Sequence, residues 1–327
     1  MAVETEPETQ MTAPSTSSVG RTARVLTVGA PIVAVLPTGP EPMDAVSTCR
    51  FAVGGAEVNL AIGLARLGIA VDYIGRVGDD PLGAMVLDRL RNAGIGCEGV
   101  VVDADRATDL YLREWLPDGM RRPLYYRTGT AGAALCPDDL GRWIETGNGA
   151  VGFAAIDLVH LTGITPALGI SASAAVRAVI DAARAADMPI SLDPNHRPRL
   201  WSAEAARPVL VEMARAATLL MLSTEDAEVL FGPGLGVDAV IDAAHGLGPA
   251  LVVFKAGADG AVVSDGRRSV GVPALRVDDA VDPVGAGDAF DAGFIAGWLR
   301  GDDLETSGRL GAQAAAAVIR RPGEHEI

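Results

Sequence analysis

The sequence predicts an α/β fold built on a largely parallel β-sheet, with a small β-sheet lid inserted into it. From Val25 onward, apolar runs of the β type alternate with Ala-rich amphipathic segments, which is the pattern of strands connected by helices. The chain has 327 residues, 49% of them hydrophobic, which is enough to bury a sizeable core. Two stretches break the alternation, and these predict the lid.

Each apolar run lies between amphipathic or turn-forming segments, so we expect each to be a buried strand. In chain order the predicted strands are Val25–Leu36, Val71–Ile74, Leu158–Leu161, Pro189–Leu192, Leu219–Leu222 and Leu251–Phe254. An Ala/Leu-rich helix is predicted over Leu60–Leu67, between the first two of these strands.

The lid is predicted over residues 37–53 and 97–130, where helical periodicity is lost. Short polar–apolar alternation replaces it at Thr108–Trp115 and Pro123–Arg127. No long Gly/Ser/Pro stretch separates these segments from their surroundings, so we expect the lid to be an insertion within one domain, residues 24–327. The preceding residues, 1–23, are rich in Thr, Ser, Pro and Glu and predict a disordered tail.

Charge and composition exclude several classes of function. Lys plus Arg number 27 against 42 Asp plus Glu, and the resulting net charge of −15 argues against nucleic acid as a partner. The longest apolar stretch is too short and too interrupted to cross a bilayer. The three cysteines, Cys49, Cys97 and Cys136, are far apart and predict neither a disulfide framework nor a zinc site. We expect a cytoplasmic protein.

The strongest chemical motif is a Gly-rich turn, Gly285, Ala286 and Gly287, followed by Asp288 and an apolar run of small residues. Backbone N–H groups that converge at a helix N-terminus can hold a phosphoryl group during its transfer. Asp288 in the first helical turn can accept the proton of an attacking hydroxyl, which predicts a catalytic base. The alternative is that Asp288 only caps the helix.

Lys255 is the only lysine among 27 basic residues, and it directly follows an apolar strand. A compact ammonium at the end of a strand suits contact with a phosphate group, which favours a nucleotide role over that of a solvated surface charge. The sequence contains no G-x-x-x-x-G-K-[ST] motif, so the chain is not a P-loop enzyme.

A second Gly-rich motif, Gly54 and Gly55, precedes the predicted helix that contains Asn59. The glycine pair permits close approach of the backbone to a ligand. Asn59 offers both a donor and an acceptor, as recognition of sugar hydroxyls requires, and capping of the helix is the alternative.

Three motifs together resemble the signature regions of the PfkB (ribokinase-like) carbohydrate kinase family: residues 54–59, 75–80 and 282–288. The resemblance extends from about Val25 to the C-terminus. It implies a ribokinase-like three-layer sandwich with eight or nine strands and a β lid, with the sugar bound under the lid and Mg–ATP along the carboxyl ends of the strands.

Within the family, four runs are similar to 2-keto-3-deoxygluconate kinases: residues 111–117, 125–127, 161–168 and 191–197. The resemblance implies phosphorylation of the terminal hydroxyl of that acid sugar, with Asp288 as the base. Tyr111, Tyr125, Arg127 and Arg197 would surround the acid end. Gly54, Gly55 and Asn59 would contact hydroxyls, and Glu324 would approach the substrate.

An acid sugar on a protein of charge −15 requires local compensation, and arginine suits a planar carboxylate through its paired N–H donors. The alternatives are solvent exposure for Arg127, a salt bridge at the edge of the core for Arg197, and simple packing of the lid by the two tyrosines.

On the nucleotide side the resemblance implies a set of ATP-binding residues and a magnesium ion held through water near Asp226. The implied residues are Asn195, Ser223, Asp226, Lys255, Gly257, Gly260, Gly285 and Gly287. Three positions depart from the family pattern: Asp226 replaces a usual Glu, Ser223 replaces a frequent Asn, and Ala312 replaces an Asn expected near the adenine.

Other functions stay open at this point. The signature regions are shared across substrates, so a kinase for 5-keto-2-deoxygluconate or fructose is the first alternative, and a nucleoside kinase is a weaker one. A non-catalytic nucleotide-binding module is a third alternative, which the intact Gly285–Asp288 motif disfavours. Unpaired strand edges of the lid, together with the family resemblance, predict a homodimer or larger homo-oligomer through the lid.

Overall fold

The computed structural model describes residues 21–39, 41, 43–116, 121–146, 152–279 and 282–320. Within them the strands are β1 Arg24–Val28, β2 Ile32–Pro37, β3 Cys49–Gly54, β4 Ala70–Gly78, β5 Gly96–Asp103, β6 Leu110–Trp115, β7 Arg121–Tyr126, β8 Leu158–Thr162, β9 Ile190–Asp193, β10 Leu219–Ser223, β11 Leu251–Lys255, β12 Ala261–Ser264 and β13 Ser269–Val272. The helices are α1 Ala56–Arg66, α2 Pro81–Asn92, α3 Pro137–Glu145, α4 Ile170–Ala185, α5 Ala203–Ala216, α6 Thr224–Phe231, α7 Val237–Leu247, α8 Ala286–Leu299 and α9 Leu304–Val318.

Nine strands form one large sheet in the order β13-β12-β11-β10-β9-β8-β1-β4-β5. All neighbours from β11 to β5 pair in parallel, and the two strands at the other edge, β12 and β13, pair antiparallel. One core lies between the sheet and α3 to α7, and a second lies between the opposite face and α1, α2, α8 and α9. The predicted α/β three-layer sandwich is confirmed.

The lid is a separate four-stranded sheet in the order β3-β2-β6-β7. Its apolar face is formed by Ile32, Ala34, Leu36, Ala52 and Tyr111, with Tyr125 packed against them. Antiparallel pairing joins β3 to β2 and β6 to β7, and the central pair β2 and β6 is parallel. The predicted small β-sheet lid is therefore present.

Two predicted boundaries differ from the structure. The run Val25–Leu36 is two strands, because β1 lies in the large sheet and β2 in the lid. The chain leaves the large sheet at Gly29, where a side chain would come within 2.4 Å of the Glu57 carboxyl carbon, and Pro31 then offers no N–H for pairing. The lid consequently begins at Ile32 rather than at residue 37.

The second difference concerns the start of the segment 97–130. Residues 96–103 form β5, the parallel edge strand next to β4 in the large sheet, and only the later residues enter the lid. An edge strand has one neighbour and one partly exposed face, and six of the eight residues of β5 are partly or fully exposed, so it is not a continuous buried run like the central strands. The pattern alone did not separate the two cases.

Helix α8 is held tightly by its neighbours. All its residues from Asp288 to Leu299 are buried. Its approach to α9 is so close that a Cβ on Gly293 would lie 2.6 Å from the Leu310 carbonyl oxygen. On the α1 side, a Cβ on Gly63 would lie 2.7 Å from that of Ala292. This packing fixes the position of the helix that begins at the Gly-rich turn.

A membrane-spanning helix, with the necessary length and apolar content, is not found among the described residues.

Candidate active site

The N-terminus of α8 begins at the predicted phosphoryl-binding turn. Gly285 is the N-cap, with φ +80°, a left-handed conformation that favours glycine. The cap carries no side chain and makes no side-chain hydrogen bond to the first turn of the helix. The turn is closed instead by a hydrogen bond from the Ala286 amide to the Pro283 carbonyl, 3.1 Å. The amides of Gly285 and Gly287 take no part in that bond and are available to an anion at the positive end of the helix dipole.

Asp288, the predicted base, is held by two asparagines from different parts of the sequence. Asn59 Nδ2 on α1 donates to Asp288 Oδ2 at 2.7 Å, and Asn195 Nδ2 donates to Oδ1 at 3.2 Å. The residue is 8% exposed. These bonds fix the carboxylate at the mouth of the Gly-rich turn and bring together three residues that the sequence predicted separately.

The two asparagines also present acceptors. The Oδ1 atoms of Asn59 and Asn195 are buried and have no hydrogen-bond partner among the described residues. Buried polar atoms are nearly always satisfied, so each calls for a donor. Each oxygen belongs to a carboxamide that contacts Asp288, and hydroxyl groups of a polyol supply donors at such a position.

The loop that contains Asn195 follows β9 and has a constrained backbone. Asn195 has φ +44°, an uncommon conformation that Asn tolerates better than most residues. Asp193 Oδ1 accepts a hydrogen bond from the Asn195 amide at 2.9 Å, which stabilises the turn. The turn orients Asn195 toward Asp288.

Lys255 lies in a buried ion cluster beneath this turn. Its Nζ contacts Asp193 Oδ2 at 2.9 Å and both oxygens of Asp291 at 2.8 and 2.9 Å. Burial lowers the pKa of Lys255, but the two carboxylates outweigh that effect and raise its pKa above the ordinary value. A Cβ on Gly287 would lie 3.8 Å from Nζ, so the ammonium sits just under the Gly-rich turn.

Lys255 is therefore not a solvated surface charge, and its ammonium is already bonded to two carboxylates. Burial raises the pKa of Asp291 well above its usual range, and the neighbouring Asp193 raises it further against the effect of the lysine. The glycines predicted with Lys255 lie in the turn between β11 and β12. Gly257 has φ +58° and Gly260 has φ +93°, and a Cβ on Gly260 would come within 2.2 Å of the Val272 carbonyl oxygen.

Ser223 and Asp226 form a capping box at the start of α6. Asp226 Oδ2 accepts from the Ser223 amide and hydroxyl at 3.0 and 2.8 Å, and Oδ1 accepts from the His196 amide at 2.8 Å. Burial raises the pKa of Asp226, with Asp193 adding to the effect. This side chain braces the loop of Asn195.

Direct coordination of a metal ion by Asp226 does not fit this environment, because Oδ2 already accepts two hydrogen bonds and the residue is 3% exposed. Contact through water with the remaining lone pair of Oδ1 stays a prediction. In the part of the chain that the structure describes, no group of three or more His, Cys, Asp or Glu side chains is arranged to hold a metal ion.

The two predicted carboxylate-binding arginines have opposite environments. Arg127 is buried, and it donates from Nε to Asp109 Oδ2 at 2.7 Å and from Nη2 to the Ala30 carbonyl at 2.8 Å. Arg197 is partly exposed and forms no salt bridge within the described ranges. The alternatives considered for the two residues are thus reversed, because Arg127 has the salt bridge and Arg197 the solvent contact.

Tyr111 on β6 and Tyr125 on β7 pack side by side on the inner face of the lid, with ring centroids 5.9 Å apart and planes tilted by 52°. Gly54 ends β3, and Gly55, with φ +107°, is the N-cap of α1. The lid therefore joins the helix of Asn59 directly. Glu324 lies outside the described residues.

The family model described as "pfkB family carbohydrate kinase" matches residues 22–326 of this chain. This chain belongs to the pfkB carbohydrate kinase family. A 2-dehydro-3-deoxygluconokinase from Thermoproteus tenax is 32% identical over 306 residues, covering 92% of this chain and 90% of the relative. 2-Dehydro-3-deoxygluconate is another name for 2-keto-3-deoxygluconate.

Solved structures have the same fold as this chain, in agreement with its membership of the pfkB family. A PfkB protein from Polaromonas sp. JS666 superimposes with a TM-score of 0.81 at 30% identity, covering 91% of this chain and 96% of that one. A fructokinase from Vibrio cholerae O395, solved with fructose, ADP and a calcium ion, gives a TM-score of 0.79 at 22% identity, covering 93% and 94% of the two chains. The second likeness is one of fold.

Several residues of the kinase's site were not singled out from the sequence. Asp193 and Asp291 complete the ion cluster of Lys255, and Asp109 pairs with Arg127. Asp291 could have been found from its spacing, because it lies three residues after Asp288 and so on the same side of α8. Asp109 carried no comparable signal, since only the antiparallel register of β6 and β7, in which Leu110 lies opposite Tyr126, places it next to Arg127.

Proposed function

We propose that this pfkB kinase transfers the γ-phosphoryl group of Mg–ATP to the terminal hydroxyl of 2-keto-3-deoxygluconate, giving the 6-phosphate and ADP. Mg²⁺ enters with ATP as part of the substrate. The chemistry is an in-line displacement at phosphorus, in which the sugar oxygen forms a bond to the γ-phosphorus as the bond to the β–γ bridging oxygen breaks.

Asp288 is proposed to accept the hydroxyl proton. Its two bonds to asparagine fix the carboxylate, and each oxygen keeps a lone pair for the incoming proton. As negative charge redistributes over the transferred group, the backbone amides of Gly285 and Gly287 are proposed to stabilise it, while the Ala286 amide closes the turn through its bond to the Pro283 carbonyl. Preorganised backbone donors require no reorganisation at the moment of reaction.

Below the turn, the ammonium of Lys255 contributes a fixed positive charge that the buried carboxylates hold in place. We propose that this cluster stabilises the position of the turn and does not bind a phosphate group directly. Asn195, Ser223 and Asp226 border the same loop, and Gly257 and Gly260 shape the neighbouring turn where the nucleotide is proposed to lie.

The environment of Arg197 is the main support for an acid sugar as the substrate. It is a partly exposed guanidinium, two residues from an asparagine that bonds to the predicted base, with no carboxylate paired to it among the described residues. On a protein of net charge −15, such a cation provides a local site for an anion. The similarity to curated 2-dehydro-3-deoxygluconokinases supports the same choice.

Arg127 and the paired tyrosines are proposed to complete the acid end of the site. Because Arg127 is already bonded to Asp109, its removal would leave a buried carboxylate without its partner and perturb the fold. A variant at Arg197 is therefore the cleaner test of carboxylate binding.

The experiment measures ADP release with Mg–ATP and a panel of acceptors: 2-keto-3-deoxygluconate, 5-keto-2-deoxygluconate, gluconate, fructose, ribose and adenosine. We expect the highest kcat/KM for the first. Arg197→Gln should lower kcat/KM for the acid sugars by about ten- to hundredfold, the value of one or two charge-assisted hydrogen bonds, and change that for fructose far less. Equal losses on acid and neutral sugars would refute the carboxylate assignment.

If kcat/KM is highest for fructose or 5-keto-2-deoxygluconate, the family assignment stands, and that compound replaces 2-keto-3-deoxygluconate as the proposed substrate. No ADP release with any acceptor of the panel would favour the alternative of a non-catalytic nucleotide-binding module.

Association through the lid stays a prediction. The edge strands of the lid are β3 and β7, and each carries an exposed aromatic side chain, Phe51 at 50% and Tyr126 at 55% exposure. Unpaired edges with apolar side chains favour pairing with a second copy. Light scattering should give the wild-type protein the molar mass of a dimer or larger oligomer and a Phe51→Glu variant a lower molar mass. Equal molar masses of the two proteins would contradict association through this edge.

A further inference from the structure

A buried ion pair connects the lid to the turn that precedes α8. Arg113 on β6 of the lid contacts Asp282 Oδ2 through Nη1 at 2.5 Å. The Arg113 side chain is 9% exposed and that of Asp282 is 1% exposed. Asp282 lies three residues before Gly285, the cap of α8. The pair therefore joins a lid strand to the segment that forms the phosphoryl-binding turn.

Asp282 also shapes that turn directly. Its Oδ1 accepts a hydrogen bond from the Val284 amide at 3.2 Å, and its own amide donates to the Ile319 carbonyl at the end of α9, at 3.2 Å. One oxygen of the side chain thus contacts the turn and the other contacts the lid. Arg113 is connected in this way, through the Asp282 carboxylate, to the first residues of the turn.

On its other side, Arg113 contacts the proposed sugar site. Its Nη2 donates to the Tyr111 hydroxyl at 3.2 Å. Tyr111 and Arg113 are two residues apart on one strand, so their side chains lie on the same face of the lid, the buried inner one. A continuous chain of contacts runs from a proposed sugar-contacting tyrosine, through one guanidinium, to the phosphoryl-binding turn.

We infer that Arg113 is a positioning residue that couples seating of the lid to the geometry of the phosphoryl-binding turn. It acts through Asp282 and Tyr111 and need not touch the reacting atoms. This inference rests on the proposed kinase function. In physical terms, a cationic partner stabilises the buried carboxylate of Asp282, so the arrangement of the turn seen here is favoured when the lid places the guanidinium beside it.

The lid supplies a matched control. Arg122 on β7 pairs with Glu114 on β6, so it is also a lid arginine bonded to a carboxylate, but both partners belong to the lid and Arg122 is 40% exposed. Loss of the Arg122 pair removes a charge of the same type from the same sheet without touching the turn.

The test compares Arg113→Met, Arg113→Lys, Asp282→Asn and Arg122→Met in the full chain. The first measurement is amide hydrogen exchange over residues 282–290 without ligands, which needs no turnover. We expect faster exchange there in Arg113→Met and Asp282→Asn and wild-type exchange in Arg122→Met. The second is steady-state kinetics with the sugar that the wild type uses best. The kcat of Arg113→Met should fall by about ten- to hundredfold with a KM for ATP within about threefold, because misplacement of a preorganised group affects the reaction step.

Arg113→Lys should recover part of the kcat, since an ammonium can still pair with Asp282. If Arg113→Met does not fold, Asp282→Asn and Arg113→Lys carry the comparison. A kcat of Arg113→Met, or of Asp282→Asn where Arg113→Met does not fold, equal to that of Arg122→Met would overturn the inference whatever the melting temperature, as would unchanged exchange over residues 282–290 in those variants. A wild type that turns over no sugar would contradict the proposed function, whereas the exchange measurement would still decide whether the pair orders the turn.

Discussion

Replacement of Asp288 by Asn tests the proposed base with little disturbance of its surroundings. The change removes the proton acceptor and keeps the size and shape of the side chain. Positioned general bases contribute about 10²- to 10⁴-fold to rate, which corresponds to about 2.7 to 5.4 kcal/mol in the activation free energy. We therefore expect kcat for the best sugar to fall by about 10²- to 10⁴-fold.

The structure indicates why this variant should fold and bind ATP. An amide at position 288 can retain the 2.7 Å bond from Asn59 through its oxygen, and direct its NH₂ group toward Asn195. Asn195 can turn its own carboxamide to meet that donor, because its Oδ1 has no partner among the described residues, although its 3.3 Å bond from Nδ2 to Asp193 Oδ2 is then lost. Each exchanged or lost hydrogen bond costs about 1 kcal/mol, so the melting temperature should fall only slightly and the ATP dissociation constant should change little.

The assay is ADP release at saturating sugar and ATP, with nucleotide affinity measured by calorimetry. Asp302→Asn, which removes an exposed carboxylate just after α8, is the control for loss of charge. A kcat for Asp288→Asn within threefold of that of the control would refute the assignment of Asp288 as the base. A large loss of ATP affinity would show that the carboxylate acts in nucleotide binding instead.

Three further predictions test the supporting structure. Lys255→Met should lower the free energy of unfolding in urea by about 3–5 kcal/mol, because it leaves buried carboxylates unpaired, and the added change Asp291→Asn should restore part of that loss; no restoration would contradict the ion cluster. Burial lowers the pKa of His160 to about 4, so the unfolded state takes up the proton first as the pH falls from 6.5 to 4; the stability of the wild type relative to His160→Gln should decrease by about 3 kcal/mol across that window, and a constant difference would be inconsistent with a neutral buried histidine. Gly293→Ala should cost about 1–3 kcal/mol of stability because its Cβ would lie 2.6 Å from the Leu310 carbonyl oxygen, and an unchanged denaturation midpoint would show that α8 and α9 can separate freely.

Much of the fold was predictable because its parallel strands are buried on both faces. Such strands appear as short continuous apolar runs, and those near residues 158, 190, 219 and 251 lie in the large sheet as β8 to β11. The division of the run Val25–Leu36 was not predictable from periodicity, since both halves are apolar strands. It depends on the close approach of Glu57 to Gly29, a contact between distant parts of the chain.

The candidate site was predictable where one local motif contains the chemistry. Gly285 to Asp288 begin a helix. Asn59 and Asn195, which the family resemblance implies as a substrate-binding and a nucleotide-binding residue, both contact Asp288 in the structure. The partners of the charged residues were not predictable in this way. Arg127 and Lys255 are bonded to carboxylates that only folding brings next to them. Each cation was predicted from the sequence to bind a ligand, and in the fold each belongs to a buried ion pair.

Residues 1–20 and 321–327 lie outside the described residues, so the predicted tail and the predicted domain limits at residues 24 and 327 stay predictions.

The central claim is that Asp288 and the Gly-rich turn transfer a phosphoryl group to the terminal hydroxyl of an acid sugar. The most direct test is ³¹P NMR of the mixture formed by the wild-type protein from Mg–ATP and 2-keto-3-deoxygluconate. The claim predicts one new phosphomonoester whose resonance is split into a triplet by two methylene protons, together with an equal amount of ADP, and its loss in Asp288→Asn. A doublet, which indicates phosphorylation of a secondary hydroxyl, or inorganic phosphate and ADP as the only new products would contradict it.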